Sequence, residues 1–229
     1  VVEACEYTNS FLSFFPTIEV ILNVEADHLD FFKDIDDIRH SFKLFAEKLP
    51  EDGLLVINKD IKHSEYFTQA LKCRVVTFGH EKDADYTANF ISYDKFAHPS
   101  YTLFYKGEEL AKVELGVTGE HNIYNSLAAI AVARSLDIPM ELILRGLKRF
   151  TGTDRRFQKK GSVNGFTIID DYAHHPQEIA ATIEAAKKYP HRKLWIVFQP
   201  HTYSRTAALL DDFAGALSQA DEIVLADIY

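Results

Sequence analysis

Phe166-Thr-Ile-Ile-Asp-Asp-Tyr-Ala-His-His-Pro176 and Lys193-Leu-Trp-Ile-Val-Phe-Gln-Pro-His-Thr-Tyr-Ser-Arg-Thr206 share one grammar: an apolar strand, a polar cluster, then a helix. The apolar runs are rich in β-branched and aromatic residues, and Pro176 suits the first turn of a helix. In an open parallel sheet ligands bind outside the carboxyl ends of the strands. The clusters Asp170-Asp171-Tyr172-Ala173-His174-His175 and Gln199-Pro200-His201-Thr202 are therefore expected to face one ligand. Helix 176–189, strand 193–199, helix 204–218 and strand 222–227 complete a βαβαβ, Rossmann-like half-sheet.

Working upstream, Ile18 to Val24 is expected to be a buried strand delivering Glu25-Ala-Asp-His-Leu-Asp30 to its carboxyl edge. Ile35, Ile38, Phe42, Phe45 and Leu49 share one face of a helix over 34–49, closed by Pro50-Glu-Asp-Gly53. Strand 54–57, helix 61–71 and strand 74–78 follow. Tyr86 to Tyr93, Tyr101 to Tyr105 and Leu110 to Val117, separated by turns, read as an antiparallel meander. A helix opens at His121 and breaks at Asp137-Ile-Pro139, and another runs from Met140 to Phe150. Residues 151–161 are polar and without apolar periodicity, so the domain junction is placed there. The expected organisation is α/β: a mostly parallel sheet with an added antiparallel meander over 1–152, then a partial Rossmann-like domain over 153–229.

Of the 229 residues 47% are hydrophobic and 26% charged, which excludes a disordered or fibrous chain. A formal charge of −9 argues against a general grip on nucleic acid, while leaving room for a local basic phosphate pocket. The longest apolar stretch, 17–24, is interrupted by Glu19 and falls well short of the roughly 20 residues a membrane span needs. Cys5 and Cys73 stand apart without CxxC spacing, as passive thiols of a reducing compartment would. Val1-Val2-Glu3 reads as the end of a strand already under way, and the last strand lacks the rest of its sheet, so truncation at both ends is expected.

Several clusters suit chemistry. Glu3 and His28 flank strand-like runs, where a carboxylate and an imidazole could share Mg²⁺ completed by water and phosphate oxygens. The alternative makes His28 a helix cap and Glu3 a solvated edge residue. His121-Asn-Ile-Tyr-Asn125 opens a helix; Asn122 suits capping, whereas Asn125, one turn in, suits an external partner such as a purine edge. Arg155 and Arg156 are either solvated linker charges or guanidinium forks that bind phosphate where two domains meet. Asp170, Asp171, His174 and His175 could be taken for a metal or hydrolase site, but HExxH is absent, and a substrate-facing helix start is preferred. His201 and Arg205 add donors suited to carboxylate or phosphate. Gly-x-Ser-x-Gly and GxGxxG are absent, and none of the ten glycines precedes a lysine, so no Walker A loop is present.

Glu3-Ala-Cys-Glu-Tyr with Ser10-Phe-Leu12, Asn23-Val-Glu-Ala-Asp-His-Leu-Asp30, His121-Asn-Ile-Tyr-Asn125, Gly152-Thr-Asp-Arg-Arg-Phe157, Asp170-Asp-Tyr-Ala-His-His-Pro176 and Phe198-Gln-Pro-His-Thr-Tyr-Ser-Arg-Thr206 together resemble the Mur ligase family, in the family's order. The resemblance implies an ATP- and Mg²⁺-dependent, cytoplasmic ligase that activates UDP-N-acetylmuramate as an acyl phosphate and joins it to L-alanine for peptidoglycan. It also implies a central ATPase domain and the first half of a C-terminal domain, without the P-loop and UDP-binding domain, and hence a segment inactive by itself. By this resemblance Glu3 and His28 match Mg²⁺ ligands, and His121, Asn122 and Asn125 the adenine-reading segment. Arg156, with Arg155, matches the junction arginine on ATP. Asp171 would contact the nucleotide, Tyr172 would shape the amino-acid pocket, and His174 and Arg205 would hold the substrate carboxylate region. Cys5 and Thr202 depart from residues common in the family, an aspartate and an arginine. The alternatives are a ligase that recycles whole tripeptides and a non-catalytic nucleotide-binding segment.

Overall fold

The computed structural model describes all 229 residues. They form two compact units, the first made of Val1–Phe90, Thr102–Lys112 and Tyr124–Ile143, the second of Ile91–Tyr101, Val113–Ile123 and Leu144–Tyr229. The fold is α/β, as expected.

A six-stranded sheet runs in chain order: β1 (Ile18–Ile21), β2 (Leu54–Asn58), β3 (Arg74–Phe78), β4 (Tyr86–Tyr93), β5 (Pro99–Tyr105) and β6 (Glu108–Glu114). β1, β2 and β3 are parallel, with Val20 opposite Val56 and Val56 opposite Val76, and β4 meets β3 in parallel at Phe78 and Tyr86. Only Lys106 and Gly107 connect β5 to its neighbour β6, both at positive φ (52° and 83°). That is the backbone of a two-residue hairpin turn, which forces the pair antiparallel. The meander expected from sequence is in place.

Helix α1 (Ile35–Ala46) starts at Asp34, whose carboxylate accepts from the Asp36 and Asp37 amides at 3.1 and 3.0 Å. These two acids also complement the positive end of the helix dipole. Its apolar face lays Phe42 and Phe45 against Phe11, with ring centroids 5.2 and 4.6 Å apart. Ile21, Ala46, Leu55, Ile57, Ile61 and Phe67 form the adjoining core; each larger side chain removed from water there contributes roughly 1.5–3 kcal/mol.

Two expectations upstream are shortened. The helix expected over 61–71 is the single turn α2 (Glu65–Thr68), and strand 18–24 ends at Ile21. The 61–71 stretch has apolar residues to bury, Ile61 and Phe67, but its first residues form turns, with His63 at φ 62°. Past Ile21 the Leu22 carbonyl accepts from Asn58 Nδ2 at 3.1 Å, so a side chain takes over from the backbone ladder.

Helices α3 (His121–Ser135) and α4 (Met140–Arg149) follow as expected. Beyond them the structure departs further from the sequence reading. The polar junction expected over 151–161 is not all loop: from Gln158 it enters strand β7 (Gln158–Val163), antiparallel to β8 (Phe166–Asp170). Asn164-Gly165, at φ 49° and 83°, closes this hairpin. β9 (Trp195–Phe198) and β10 (Glu222–Leu225) form a separate parallel pair, so β8 and β9 are not neighbours in one sheet. β8 takes its ladder from β7, and an apolar cavity of about 600 Å³, lined by Phe166, Ile168, Ile196 and Phe198 among others, separates it from β9. Helix α5 (Pro176–Lys188) packs Ile179 and Ile183 with Phe198 of β9. The helix expected over 204–218 is two, α6 (Tyr203–Ala208) and α7 (Leu210–Leu217), parted at Leu209 with φ −119°. Phe213, Ala216 and Leu217 of α7 complete this second core.

Candidate functional site

In the first unit, the loop after β1 carries His28 at φ 53°, its ring stacked on Tyr7 with centroids 4.5 Å apart. His28 Nε2 lies 3.7 Å from Glu6 Oε1 and 3.8 Å from Asp27 Oδ2. Glu3 is exposed, and the carboxylates gathered at the imidazole are those of Glu6 and Asp27. His28 does not cap α1, since Asp34 does. No three histidine, cysteine or carboxylate side chains converge on one metal position anywhere in the chain. An imidazole beside a carboxylate nevertheless fits Mg²⁺, which keeps several waters and takes phosphate oxygens in place of a full protein cage. Glu6 was missed because Glu-Ala-Cys-Glu offers two carboxylates three residues apart, and sequence alone does not say which one turns toward His28. Asn125 also belongs to this unit and is exposed on α3.

In the second unit the helix start after β8 is built around Glu178. Pro176 opens α5, His175 is its cap, and Glu178 Oε2 accepts from the His174 and His175 amides at 2.9 and 3.3 Å. The other carboxylate oxygen takes Arg156 Nη1 at 3.3 Å. Burial pushes the Glu178 carboxyl up, but the His174 amide and the charges of His174 and Arg156 outweigh it and hold the group below its ordinary value. One glutamate thus fixes both Arg156 and the His174 backbone. Its sequence signal is the capping box, a cap residue followed three positions later by Glu.

Asp171 is a brace. Its two oxygens accept from the Phe157 and Ala173 amides, each at 2.8 Å, tying the Arg155-Arg156 turn to the exit of β8. Tyr172 N donates to the Arg155 carbonyl at 2.7 Å, and the Arg155 guanidinium lies 4.7 Å from the Tyr172 ring centroid and 3.6 Å from Asp170 Oδ2. His174 Nδ1 approaches the Tyr172 carbonyl at 3.0 Å. Both guanidiniums remain about half exposed, 56% for Arg155 and 52% for Arg156. Of the five N–H donors on each, most can still take phosphate oxygens.

His121 feels this cluster. Burial lowers its pKa; the Asp171 charge opposes that shift and the Arg156 charge adds to it. The imidazole is therefore neutral at pH 7, able to donate from one nitrogen and accept at the other. Asn122 Nδ2 donates to the Thr118 carbonyl at 2.8 Å, which pins its amide. His121, Arg156 and Asp171 are thus brought together, with Asn122 beside them and Arg155, Tyr172 and His174 around the same β8 exit. Arg205 sits on the first turn of α6, where its amide donates to Thr202 Oγ1 at 3.4 Å, and His201 stacks on Tyr229. β8 and β9 belong to different sheets, so the expectation that the two clusters leave adjacent strands of one sheet is corrected.

The sequence model of the Mur ligase middle domain matches residues 1–133, and that of the Mur ligase, glutamate ligase domain matches 155–228. Curated relatives named UDP-N-acetylmuramate--L-alanine ligase include those of Lachnospira eligens, 61% identical over the whole chain, and Caldanaerobacter subterraneus, 49% identical over the whole chain. The chain spans about half the length of these relatives, 50% in each case. Among solved structures, UDP-N-acetylmuramate-alanine ligase from Thermotoga maritima superposes with a TM-score of 0.78 at 29% identity, over 96% of this chain and 48% of that one. MurF from Acinetobacter baumannii, at 21% identity and TM-score 0.79 over 96% of this chain and 52% of that one, shares the fold. With family models covering most of its length in order, the chain belongs to the Mur ligase family.

Proposed function

We propose that this chain is the central and C-terminal portion of a cytoplasmic, ATP-dependent ligase that joins L-alanine to UDP-N-acetylmuramate in peptidoglycan precursor synthesis, with its domain boundary at 152/153. The observation that carries this is identity of 49–61% to relatives bearing that name, over the full chain. The site residues suit the chemistry. The sugar acid's carboxylate attacks the γ-phosphorus of ATP and ADP leaves; the alanine amine then attacks the acyl carbon and inorganic phosphate leaves. Both steps depend on positioning and on neutralising phosphate charge. Arg156, held by Glu178, and Arg155, held over Tyr172, present cations to the phosphates. Neutral His121 with Asn122 and Asn125 reads the adenine edge. Asp171 orders the turn beneath the nucleotide, Tyr172 borders the amino-acid pocket, and His174 and Arg205 hold the substrate carboxylates. His28 with Glu3 or Glu6 would hold Mg²⁺, which supplies charge neutralisation at the phosphates.

The test is phosphate release by the polypeptide extended to the length of its relatives, with ATP, Mg²⁺ and UDP-N-acetylmuramate, comparing L-alanine with the tripeptide L-alanyl-γ-D-glutamyl-meso-diaminopimelate. Turnover with L-alanine is expected. Turnover with the tripeptide alone would assign the chain to a recycling ligase, and ATP binding without turnover on either would make it a nucleotide-binding module.

A further inference from the structure

Lys188 lies in the last turn of α5, twelve residues beyond Pro176 and outside the Asp170–Pro176 cluster. Its ammonium donates to Glu120 Oε2 and to Tyr93 Oη, both at 2.9 Å, and lies 4.4 Å from the centroid of the Tyr93 ring. Burial lowers the Lys188 pKa, but bonds to Tyr93 and Glu120 outweigh it and leave the group above its ordinary value. It is charged at any physiological pH. All three side chains belong to the second unit. Tyr93 and Glu120 fall within the span matched by the middle-domain model, Lys188 within that matched by the glutamate ligase model.

Glu120 immediately precedes His121, and the turn it belongs to is held tightly. Gly119 has φ +101°, and a Cβ there would stand 2.6 Å from His121 Cε1 and 3.5 Å from Ala185 Cβ of α5. The turn therefore rests directly on α5, with the imidazole folded over the glycine. Asn122 N donates to the Gly119 carbonyl at 3.2 Å and Ile123 N to the Glu120 carbonyl at 2.8 Å. At the other end of the same helix, Glu178 fixes Arg156 and His174. A helix rises about 1.5 Å per residue, so α5 acts as a rigid spacer with a polar clasp at each end.

We propose that Lys188 is a positioning residue: by clasping Glu120 and Tyr93 it seats the Gly119-Glu120-His121-Asn122 turn on α5 and so presets the imidazole and amide that would read the nucleotide base. The proposal rests on the ligase reading for its kinetic consequence, not for its structural one. Lys188→Met in the polypeptide extended to the length of its relatives is expected to raise KM for ATP roughly five-fold with kcat changed less than two-fold, as loss of one partly exposed charged clasp would do. Lys188→Arg should restore most of the affinity, and the exchange Glu120→Lys with Lys188→Glu should recover more than either single change.

In the 229-residue chain itself, imidazole NMR should show the His121 signals and their titration shifted by Lys188→Met. Glu120→Gln provides the same reading should Lys188→Met fail to fold. Unmoved His121 signals in a folded variant overturn the proposal whether or not the full polypeptide is a ligase. Absence of turnover by the wild type, with His121 still responding to Lys188, overturns the ligase reading and leaves the positioning role standing. An unchanged KM for ATP in an active Lys188→Met enzyme overturns the kinetic role.

Discussion

Glu19 on β1 is only 3% exposed, and neither carboxylate oxygen has a hydrogen-bond partner. Along β1 it shares a face with Ile21, part of the core of Leu55, Ile57 and Phe67. Burial pushes its pKa from 4.5 to about 8, so at neutral pH the native state holds a protonated acid. The unfolded chain ionises near the ordinary value. Below about pH 4.5 both states bind the proton and Glu19 makes no pH-dependent difference. Between there and about pH 8 only the unfolded state gives it up, so stability falls as pH rises, at about 1.4 kcal/mol per unit. At pH 7 the accumulated loss is about 3 kcal/mol, and above pH 8 it levels at about 5 kcal/mol. A total stability of roughly 5–15 kcal/mol makes this a large fraction.

Glu19→Gln keeps the shape and removes the titration. Urea unfolding of both proteins at pH 5, 6, 7 and 8 isolates the effect, because every other group contributes equally and cancels in the difference. The variant should match wild type within about 1 kcal/mol at pH 5 and exceed it by about 4 kcal/mol at pH 8. Stability curves that run parallel across this range would refute a carboxyl held protonated in the core. Cys73 offers a second reading: burial chiefly raises its thiol pKa, and Glu19 adds to the shift only when ionised. Thiol reactivity at pH 9 should therefore rise slightly in Glu19→Gln.

Arg156→Ala in the extended polypeptide should lower turnover about a hundred-fold with the melting temperature little changed, since its ion pair with Glu178 is half exposed; normal kcat would remove it from the site. The magnesium dependence of turnover discriminates Glu3 from Glu6: the variant of whichever carboxylate serves His28 should need roughly ten-fold more Mg²⁺, and Glu6→Gln is the one expected to do so. Gly119→Ala must adopt φ +101° and displace the His121 ring, so thermal unfolding should show a loss of about 1–3 kcal/mol. Glu178 titrates with the opposite sign from Glu19: its pKa is depressed, so what it contributes is present above the ordinary carboxyl value and lost on acidification. Glu178→Gln should flatten the stability profile below about pH 5.

Much of the fold was legible because its elements follow local rules. β2 is four buried apolar residues and an asparagine, α1 has a carboxylate cap and apolar spacing, and the meander announces its turns. What failed, failed for nameable reasons. β7 is Gln-Lys-Lys-Gly-Ser-Val, exposed along much of its length, so it offers no apolar alternation; its only signal was Asn164-Gly165, the favoured pair for a two-residue hairpin. The continuous apolar run of β9 fits a doubly wound parallel sheet as well as a separate pair, and periodicity does not separate them. The site divides the same way. Asp171, Arg156 and His174 were visible as chemistry, whereas Glu6, Glu120 and Lys188 look like surface charge until tertiary structure aims them.

The division has a physical root. A residue that touches a ligand keeps its chemistry legible because few side chains can do its job, whereas a residue that aims another needs only charge and reach. Glu178 and Lys188 act from opposite ends of α5, one on Arg156 and one on the turn before His121, and both are ordinary members of an amphipathic helix by composition. Their role comes from where the helix lies. Moving one clasp by a single residue along α5 would rotate it by about 100° around the axis and break its bond while leaving the helical pattern intact. Lengthening α5 by one residue between Glu178 and Lys188 is thus expected to uncouple His121 from Lys188 with Arg156 still paired, a change that imidazole NMR of His121 would register.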